Sequence, residues 1–278
     1  MMPLESKERK LFEIIGRYKN ALVAFSGGLD SAIVLWASVK ALGHDNVWAV
    51  TSNSASLPED EEREARLLAG EIGLPAEKHI IITTDEINDP NYRQNPIDRC
   101  YFCKKELFDK LKELSSQLGA EVVFDGANLS DLGDYRPGRK AAEEFQVVSP
   151  LLEAELTKDD LRGLARKYKL SFSEKPAAAC LASRIPHGTE VTKERLRQID
   201  TAESALRKLG FTGFRVRYHN DVARLEFRPE DIIRVLENGV KDKIVAEMKK
   251  AGFRYVALDL EGYRQGSLNQ NLKSGEKR

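Results

Sequence analysis

This sequence predicts a doubly wound α/β fold built on a parallel sheet, and three observations predict it. Short apolar blocks alternate with stretches of helical periodicity through the first two thirds of the chain. One block, Ala21–Phe25, runs directly into Ser26-Gly27-Gly28-Leu29-Asp30-Ser31 and then into a helical pattern, the strand–turn–helix order at which parallel sheets collect ligands. Beyond Glu190 the pattern changes and predicts a second, smaller α/β unit. The chain of 278 residues holds one large domain or two ordinary ones, and the expected division is 1–175 and 176–278.

The elements follow in order. An opening helix over Leu4–Tyr18 sets Leu11, Ile14 and Ile15 on one side. Strands are expected at Ala21–Phe25, Val47–Thr51, His79–Thr83 and Val122–Asp125, with a short one at Val147–Val148. Helices between them are expected at Asp30–Leu42, Pro58–Ile72, Cys103–Leu118 and Arg139–Phe145. Pro58 and the acids after it suit a first helical turn and its macrodipole. Thr157 and Asp160 form a cap-like pair that opens a helix over Thr157–Lys169. The stretch from Leu170 to Glu190 has little periodicity, as functional loops and linkers do. The second unit reads as a helix at Thr192–Leu209, strands at Phe214–Tyr218 and Val222–Phe227, helices at Pro229–Leu236 and Lys241–Ala251, and a last strand at Tyr255–Leu260. The polar tail from Ser267 to Arg278 is expected to fray.

Charge is balanced, 44 Lys and Arg against 44 Asp and Glu, which argues against a long nucleic-acid footprint. The first residues lack the apolar core of a signal peptide, and no run approaches a membrane span, so a cytoplasmic, soluble protein with neither membrane nor nucleic-acid partner is expected. Three cysteines in such a chain point to chemistry or metal before disulfides.

Ser26, Gly27, Gly28, Asp30 and Ser31 make an anion cradle: glycines let backbone N–H groups curl inward, and the following helix adds partial positive charge. The spacing is neither Walker A nor the dinucleotide fingerprint. Asp125 to Asp131 begins at the end of the fourth strand, where Gly126 permits close backbone approach and Asn128 and Asp131 can reach a phosphate, a ribose or Mg²⁺; as turn formers they also suit a plain hydrogen-bonded turn. Thr51–Ser56 either lines an adenine slot or is an ordinary loop. Cys100 and Cys103 stand three residues apart at a helix start, where thiolates are stabilised, and Cys180 sits in the long loop. Three thiolates can hold a [4Fe–4S] cluster with one iron left open. A zinc site completed by His79 or His187, and a redox Cys-x-x-Cys beside a buried Cys180, are the alternatives. Arg184 follows Cys180 by four residues, and Arg136 and Arg139 flank Pro137-Gly138. Arg215 and Arg217 alternate on one strand and share a face, which suits a phosphate or carboxylate unless Glu226 pairs with them on a solvated face. Lys104, Lys105, Lys158 and Lys175 read as surface residues, and His44 and His219 as lone histidines.

The six-residue turn resembles the PP-loop of ATP pyrophosphatases. With Asp134-Tyr135-Arg136-Pro137-Gly138, Ser149-Pro150-Leu151 and the run from Lys175-Pro176-Ala177 through Ala179-Cys180-Leu181-Ala182-Ser183-Arg184, nearly the whole chain resembles the LarE family of ATP-dependent sulfur transferases, which act in nickel-pincer nucleotide cofactor synthesis. The resemblance implies ATP and Mg²⁺ as cofactors and the mononucleotide of a pyridinium dicarboxylate as substrate. A carboxylate would be adenylated, pyrophosphate would leave on the PP-loop, and sulfur would replace the adenylated oxygen. Some members sacrifice the sulfur of one cysteine. Three-cysteine members are associated with a [4Fe–4S] cluster carrying a removable sulfide, and Cys100, Cys103 and Cys180 favour that route here. The resemblance also implies that Arg215 and Arg217 hold the substrate phosphate, that Arg184 lies by the reacting carboxylate, and that the protein is a homo-oligomer, a hexamer in this family. It leaves the sulfide donor open.

Three rivals share part of this pattern. A tRNA thiolase also pairs a PP-loop with cysteines around a cluster, but neutral charge and the lack of a basic stripe oppose it. An ammonia-dependent, amide-forming synthetase needs no cysteines. An ATP-binding cluster sensor would bind nucleotide without releasing pyrophosphate.

Overall fold

The computed structural model describes residues 2–133, 137–173 and 179–264. Along the chain run α1 (Leu4–Ile15), β1 (Ala21–Ala24), α2 (Leu29–Leu42), β2 (Val47–Asn53), α3 (Glu59–Ile72), β3 (His79–Thr83), α4 (Pro90–Arg93), α5 (Arg99–Leu118), β4 (Val122–Phe124), α6 (Gly138–Glu144), α7 (Pro150–Glu153) and α8 (Lys158–Lys167). Then come α9 (Lys193–Lys208), β5 (Arg215–His219), β6 (Val222–Glu226), α10 (Ile232–Leu236), α11 (Val240–Lys250) and β7 (Tyr255–Leu258). Two compact units result: residues 1–86 with 98–178, and residues 87–97 with 179–278. The expected division at 175/176 falls in 174–178, outside the described residues, as do Asp134-Tyr135-Arg136, Lys175-Pro176-Ala177 and the tail from Ser267.

In the first unit four parallel strands stand in the order β3-β2-β1-β4, the doubly wound sheet that the alternation predicts. Successive side chains of a strand point to opposite faces, and the core divides accordingly. Ala21 and Val23 of β1 pack with Leu11, Ile33, Leu68 and Leu161 from α1, α2, α3 and α8 on one face. Leu22 and Val50 pack with Phe108, Leu111 and Ala141 from α5 and α6 on the other. The expected strand at Val147–Val148 is reduced to a single bridge, Val148 with Phe124, because Ser149 and Pro150 turn the chain into α7 at once. Helix α5 begins at Arg99, four residues before the expected start, with Asp98 at its cap position. Both cysteines of the Cys-x-x-Cys pair therefore lie inside its opening turns.

The second unit is a three-stranded sheet, β5-β6-β7, in which β5 and β6 form a hairpin turned at Asn220-Asp221 and β7 runs parallel to β6. Its surprise is the segment 87–97, which joins it from far upstream. Asn95, at φ 56°, is completely buried and donates from its side chain to the carbonyls of Pro186 (2.8 Å) and Thr189 (2.9 Å), while its own carbonyl accepts from Gly188 (2.9 Å). A buried amide matched on several sides fixes one loop geometry. The loop after Arg184 is thus stapled by a residue ninety positions earlier, which no local pattern announces.

Candidate active site

The turn after β1 is built as an anion cradle. Gly27 adopts φ +72°, and a Cβ on it would meet Ala65 of α3 at 3.1 Å, so both conformation and packing demand glycine. Ser31 Oγ accepts from the Ser26 N–H (3.2 Å) and donates to the Gly28 carbonyl (3.1 Å), while Ser26 Oγ accepts from the Gly28 N–H (3.3 Å). These bonds curl the backbone over the first turn of α2. From β4 the chain comes so near that a Cβ on Gly126 would lie 2.9 Å from the Ser31 nitrogen.

The loop after β4 is a hydrogen-bonded turn with one exception. Asp125 accepts from Ala127 and Ser149, Asp131 accepts from the Asn128 backbone, and the Asn128 side-chain oxygen accepts from Ser130. The Asn128 side-chain nitrogen is buried and finds no partner. A buried donor left open at a strand end points to a ligand acceptor. Beside it stands Lys158, expected at the surface: its Nζ lies 2.6 Å from both carboxylate oxygens of Asp30.

Thr51 is buried in β2. Its hydroxyl donates to the Phe25 carbonyl (2.6 Å), so His79 Nε2, 2.8 Å away, must carry the proton it donates to Thr51. This relay fixes the entry to the Ser26–Ser31 turn and commits His79 Nε2 to Thr51. Burial first, then the Arg66 charge, against an opposing effect of Glu62, lowers the His79 pKa from 6.5 to about 4. The folded state therefore favours neutral imidazole. The stability this group contributes is full above pH 6.5 and is lost as pH falls toward 4. His79→Gln, which keeps a donor to Thr51, is expected to flatten the loss of urea-unfolding stability between those pH values. Parallel slopes in variant and parent would contradict this.

In the second unit Cys180 is exposed, at the start of a short 3₁₀ turn over Leu181–Arg184, and not buried as the redox alternative supposed. Arg184 is buried and fully engaged: it forms a double ion pair with Glu203 (Nε–Oε1 and Nη2–Oε2, each 2.9 Å) and donates through Nη1 to the carbonyls of Ala179 (2.6 Å) and Cys180 (3.0 Å). Glu203, on α9, also accepts from the Val216 N–H (3.0 Å) on β5. Arg217 bonds the Ser183 carbonyl (2.8 Å) and pairs with Glu226 (2.9 Å), so the face read as possibly solvated is buried. Arg215 donates to the Phe214 carbonyl and stacks on Tyr263, 4.9 Å from the ring centre. Burial, and next the charge of Arg184, hold Arg215 below its ordinary pKa, a state that an incoming anion relieves. His187 lies in the stapled loop with both ring nitrogens buried and unpartnered.

Cys100 and Cys103 share the opening turns of α5, and Cys180 belongs to the other unit. Among the described residues no three His, Cys, Asp or Glu side chains gather as a metal site. The thiols are of the right kind and number for a three-Cys cluster, and two of them sit one helical turn apart in α5. Mg²⁺ makes no such demand, since it is held by one or two carboxylates plus substrate phosphates, and Asp30 offers one.

Residues 13–106 match the NAD synthase family. An uncharacterised protein of Synechocystis sp. is 42% identical over 97% of this chain and 99% of its own length. The pyridinium-3,5-bisthiocarboxylic acid mononucleotide synthase of Lactiplantibacillus plantarum is 37% identical over 99% of this chain and 98% of its own length. The chain belongs to that synthase family. LarE-type enzymes are ATP-dependent sulfur transferases on a PP-loop ATP pyrophosphatase fold, and the matched residues 13–106 include the Ser26–Ser31 turn. A probable tRNA sulfurtransferase of Methanosarcina acetivorans is 25% identical over 64% of this chain but only 44% of its own length. The LarE match covers 99% of this chain and so includes the Cys180 segment and the strand of Arg215 and Arg217. Among the described residues no helix is long and apolar enough to cross a membrane.

Proposed function

We propose that this chain uses ATP to adenylate a carboxylate of a pyridinium dicarboxylate mononucleotide, releases pyrophosphate, and replaces the adenylated oxygen with sulfur to give a thiocarboxylate. One observation carries the reading beyond family membership. The segment bearing Cys180 is fastened to the strand bearing Arg215 and Arg217 through Arg184, Glu203 and the Arg217–Ser183 bond. A sulfur-bearing residue and a handle for the substrate phosphate held in fixed relation are what a thiolation of a mononucleotide requires.

The chemistry divides between the units. A carboxylate oxygen attacks the α-phosphorus and the bond to the bridging oxygen breaks, leaving its electron pair on pyrophosphate. Backbone N–H groups of the PP-loop, the N-terminus of α2 and the open Asn128 donor are suited to hold that charge. Asp30 would hold Mg²⁺, which would supply charge neutralisation for the phosphates. Sulfur then adds to the acyl carbon and AMP departs with the other electron pair. In the second unit Arg215 binds the substrate phosphate, and Arg184 positions Cys180 by holding its backbone. Assembly into a homo-oligomer is assigned to this unit too.

For sulfur supply we favour a [4Fe–4S] cluster on Cys100, Cys103 and Cys180 over sacrifice of the Cys180 sulfur. With three protein thiolates, such a cluster leaves one iron to carry a removable sulfide. A cytoplasmic setting suits three cysteines that form no disulfide. The test uses anaerobically reconstituted full chain with Mg·ATP and the mononucleotide, following AMP, pyrophosphate and the mass gain of sulfur for oxygen. Iron and acid-labile sulfide are expected in the parent. Cys100→Ala is expected to lose both, along with repeated turnover, while still releasing pyrophosphate. A single turnover in Cys100→Ala equal in yield to the parent's first turnover, with the sulfur lost from Cys180, would move the sulfur source to Cys180 alone. Salt-sensitive retention of tRNA would favour the thiolase rival.

A further inference from the structure

Tyr263 stands at the end of a tightly specified turn. Beyond β7 the Asp259 N–H donates to the Leu225 carbonyl (2.9 Å), and the Glu261 N–H donates to Asp259 Oδ1 (2.9 Å). Gly262 follows at φ +70°, where a Cβ would lie 2.7 Å from the Phe227 carbonyl oxygen, so both conformation and space demand glycine. The Tyr263 N–H then donates to that same carbonyl (2.7 Å). Phe227 follows Glu226, and Glu226 faces Arg215 across the β5–β6 hairpin. The turn therefore returns the chain beside the start of β5. There the half-buried ring lies against the Arg215 guanidinium, whose Cζ is 4.9 Å from the ring centre.

An aromatic face attracts a guanidinium and restrains a long, rotatable side chain without occupying its N–H groups. Carboxylates hold the neighbouring arginines differently: Glu203 and Glu226 take N–H groups of Arg184 and Arg217. Arg215 Nη1 is fixed on the Phe214 carbonyl (2.7 Å), while Nη2 reaches the Tyr263 hydroxyl at 3.4 Å, long for a hydrogen bond. The ring is thus the stronger hold and the hydroxyl the weaker. Tyr263 also stands by Arg184: against burial, Glu203 first, and after it Cys180 and Tyr263, raise the Arg184 pKa. Phenol, thiol and both guanidiniums share one neighbourhood of the second unit. We propose that Tyr263 is a positioning residue for the substrate phosphate, its ring holding the Arg215 guanidinium with N–H groups turned to the phosphate oxygens. This assignment rests on the reading of Arg215 as the phosphate handle.

The experiment varies the pyridinium dicarboxylate mononucleotide at saturating Mg·ATP and follows thiocarboxylate formation. It compares full-length parent, Tyr263→Phe, Tyr263→Leu, Tyr263→Met, Arg215→Ala and the double variant combining Tyr263→Leu with Arg215→Ala. The two ringless variants are expected to raise KM about tenfold with kcat within about twofold, the mark of lost uniform binding. Tyr263→Phe keeps the ring and is expected to hold KM within about threefold of the parent. On top of Arg215→Ala, Tyr263→Leu is expected to raise KM by no more than about twofold, because a residue acting through Arg215 has nothing left to position. A purely structural tyrosine would add its full effect there. Unchanged KM in both ringless variants, or the same rise with and without Arg215, would overturn the assignment and leave the phosphate reading of Arg215 intact. Unchanged KM in Arg215→Ala would overturn both.

Discussion

Replacing Cys180 by Ser is expected to reduce thiocarboxylate formation by at least about a thousandfold while pyrophosphate release stays within about threefold of the parent. The separation follows from what holds the segment. Arg184 grips the carbonyl oxygens of Ala179 and Cys180, and both remain in the variant. The side chain itself is exposed, so exchanging sulfur for oxygen removes no packing and is expected to change stability by less than about 0.5 kcal/mol. A hydroxyl can neither serve as a soft cluster ligand nor yield a sulfur atom, so both sulfur routes stop at this residue. Adenylation, assigned to the PP-loop unit, has no need of it. Parallel assays of pyrophosphate and of product mass decide the matter, and normal thiocarboxylate yield from Cys180→Ser would remove Cys180 from the chemistry.

Glu203→Gln is expected to be the most destabilising conservative change in the second unit. Glu203 is 2% exposed and Arg184 is 3% exposed, so neither charge has water to fall back on. The pair is matched by two bonds of 2.9 Å, and Glu203 Oε1 takes the Val216 N–H as well. Removing one charge leaves a buried guanidinium uncompensated, which costs about 3–5 kcal/mol. At that size the melting temperature is expected to fall by roughly 10 °C or more. The loop carrying Cys180 loses its anchor at the same time, so its thiol is expected to react faster with a disulfide reagent than in the parent. A melt within about 2 °C of the parent would show that the ion pair contributes little net stability.

The order of elements was legible because apolar periodicity is a local property. The strands at His79–Thr83 and Val222–Glu226 and the helix opened by Thr157 and Asp160 carry their signals within a few residues. Val147–Val148 misled because two β-branched residues read as a strand, and only the Ser149-Pro150 turn decides that one bridge is all they form. The start of α5 was placed late because Cys100, Tyr101 and Phe102 form helices only modestly well in isolation, whereas packing of Tyr101, Phe108 and Leu111 in one cluster with Leu22 and Val50 of the sheet overrides that preference.

The sequence alone was enough to place a tight glycine turn at Ser26–Ser31 between β1 and α2, since glycines, hydroxyls and a strand–helix boundary within six residues specify a backbone shape whatever surrounds them. It was enough also for the doubly wound sheet and for the family, whose motifs are contiguous. Tertiary structure alone decided which side chains become partners. Lys158 and Asp30 are 128 positions apart, and a lysine at a helix start looks like any surface lysine until the sheet edge brings it to the loop. Glu203, Asn95 and the His79–Thr51 relay are of the same kind: ordinary polar residues whose role exists only once burial removes water and leaves each donor a single acceptor. Burial is a property of the folded whole, so the chemistry it enforces is absent from any window of sequence.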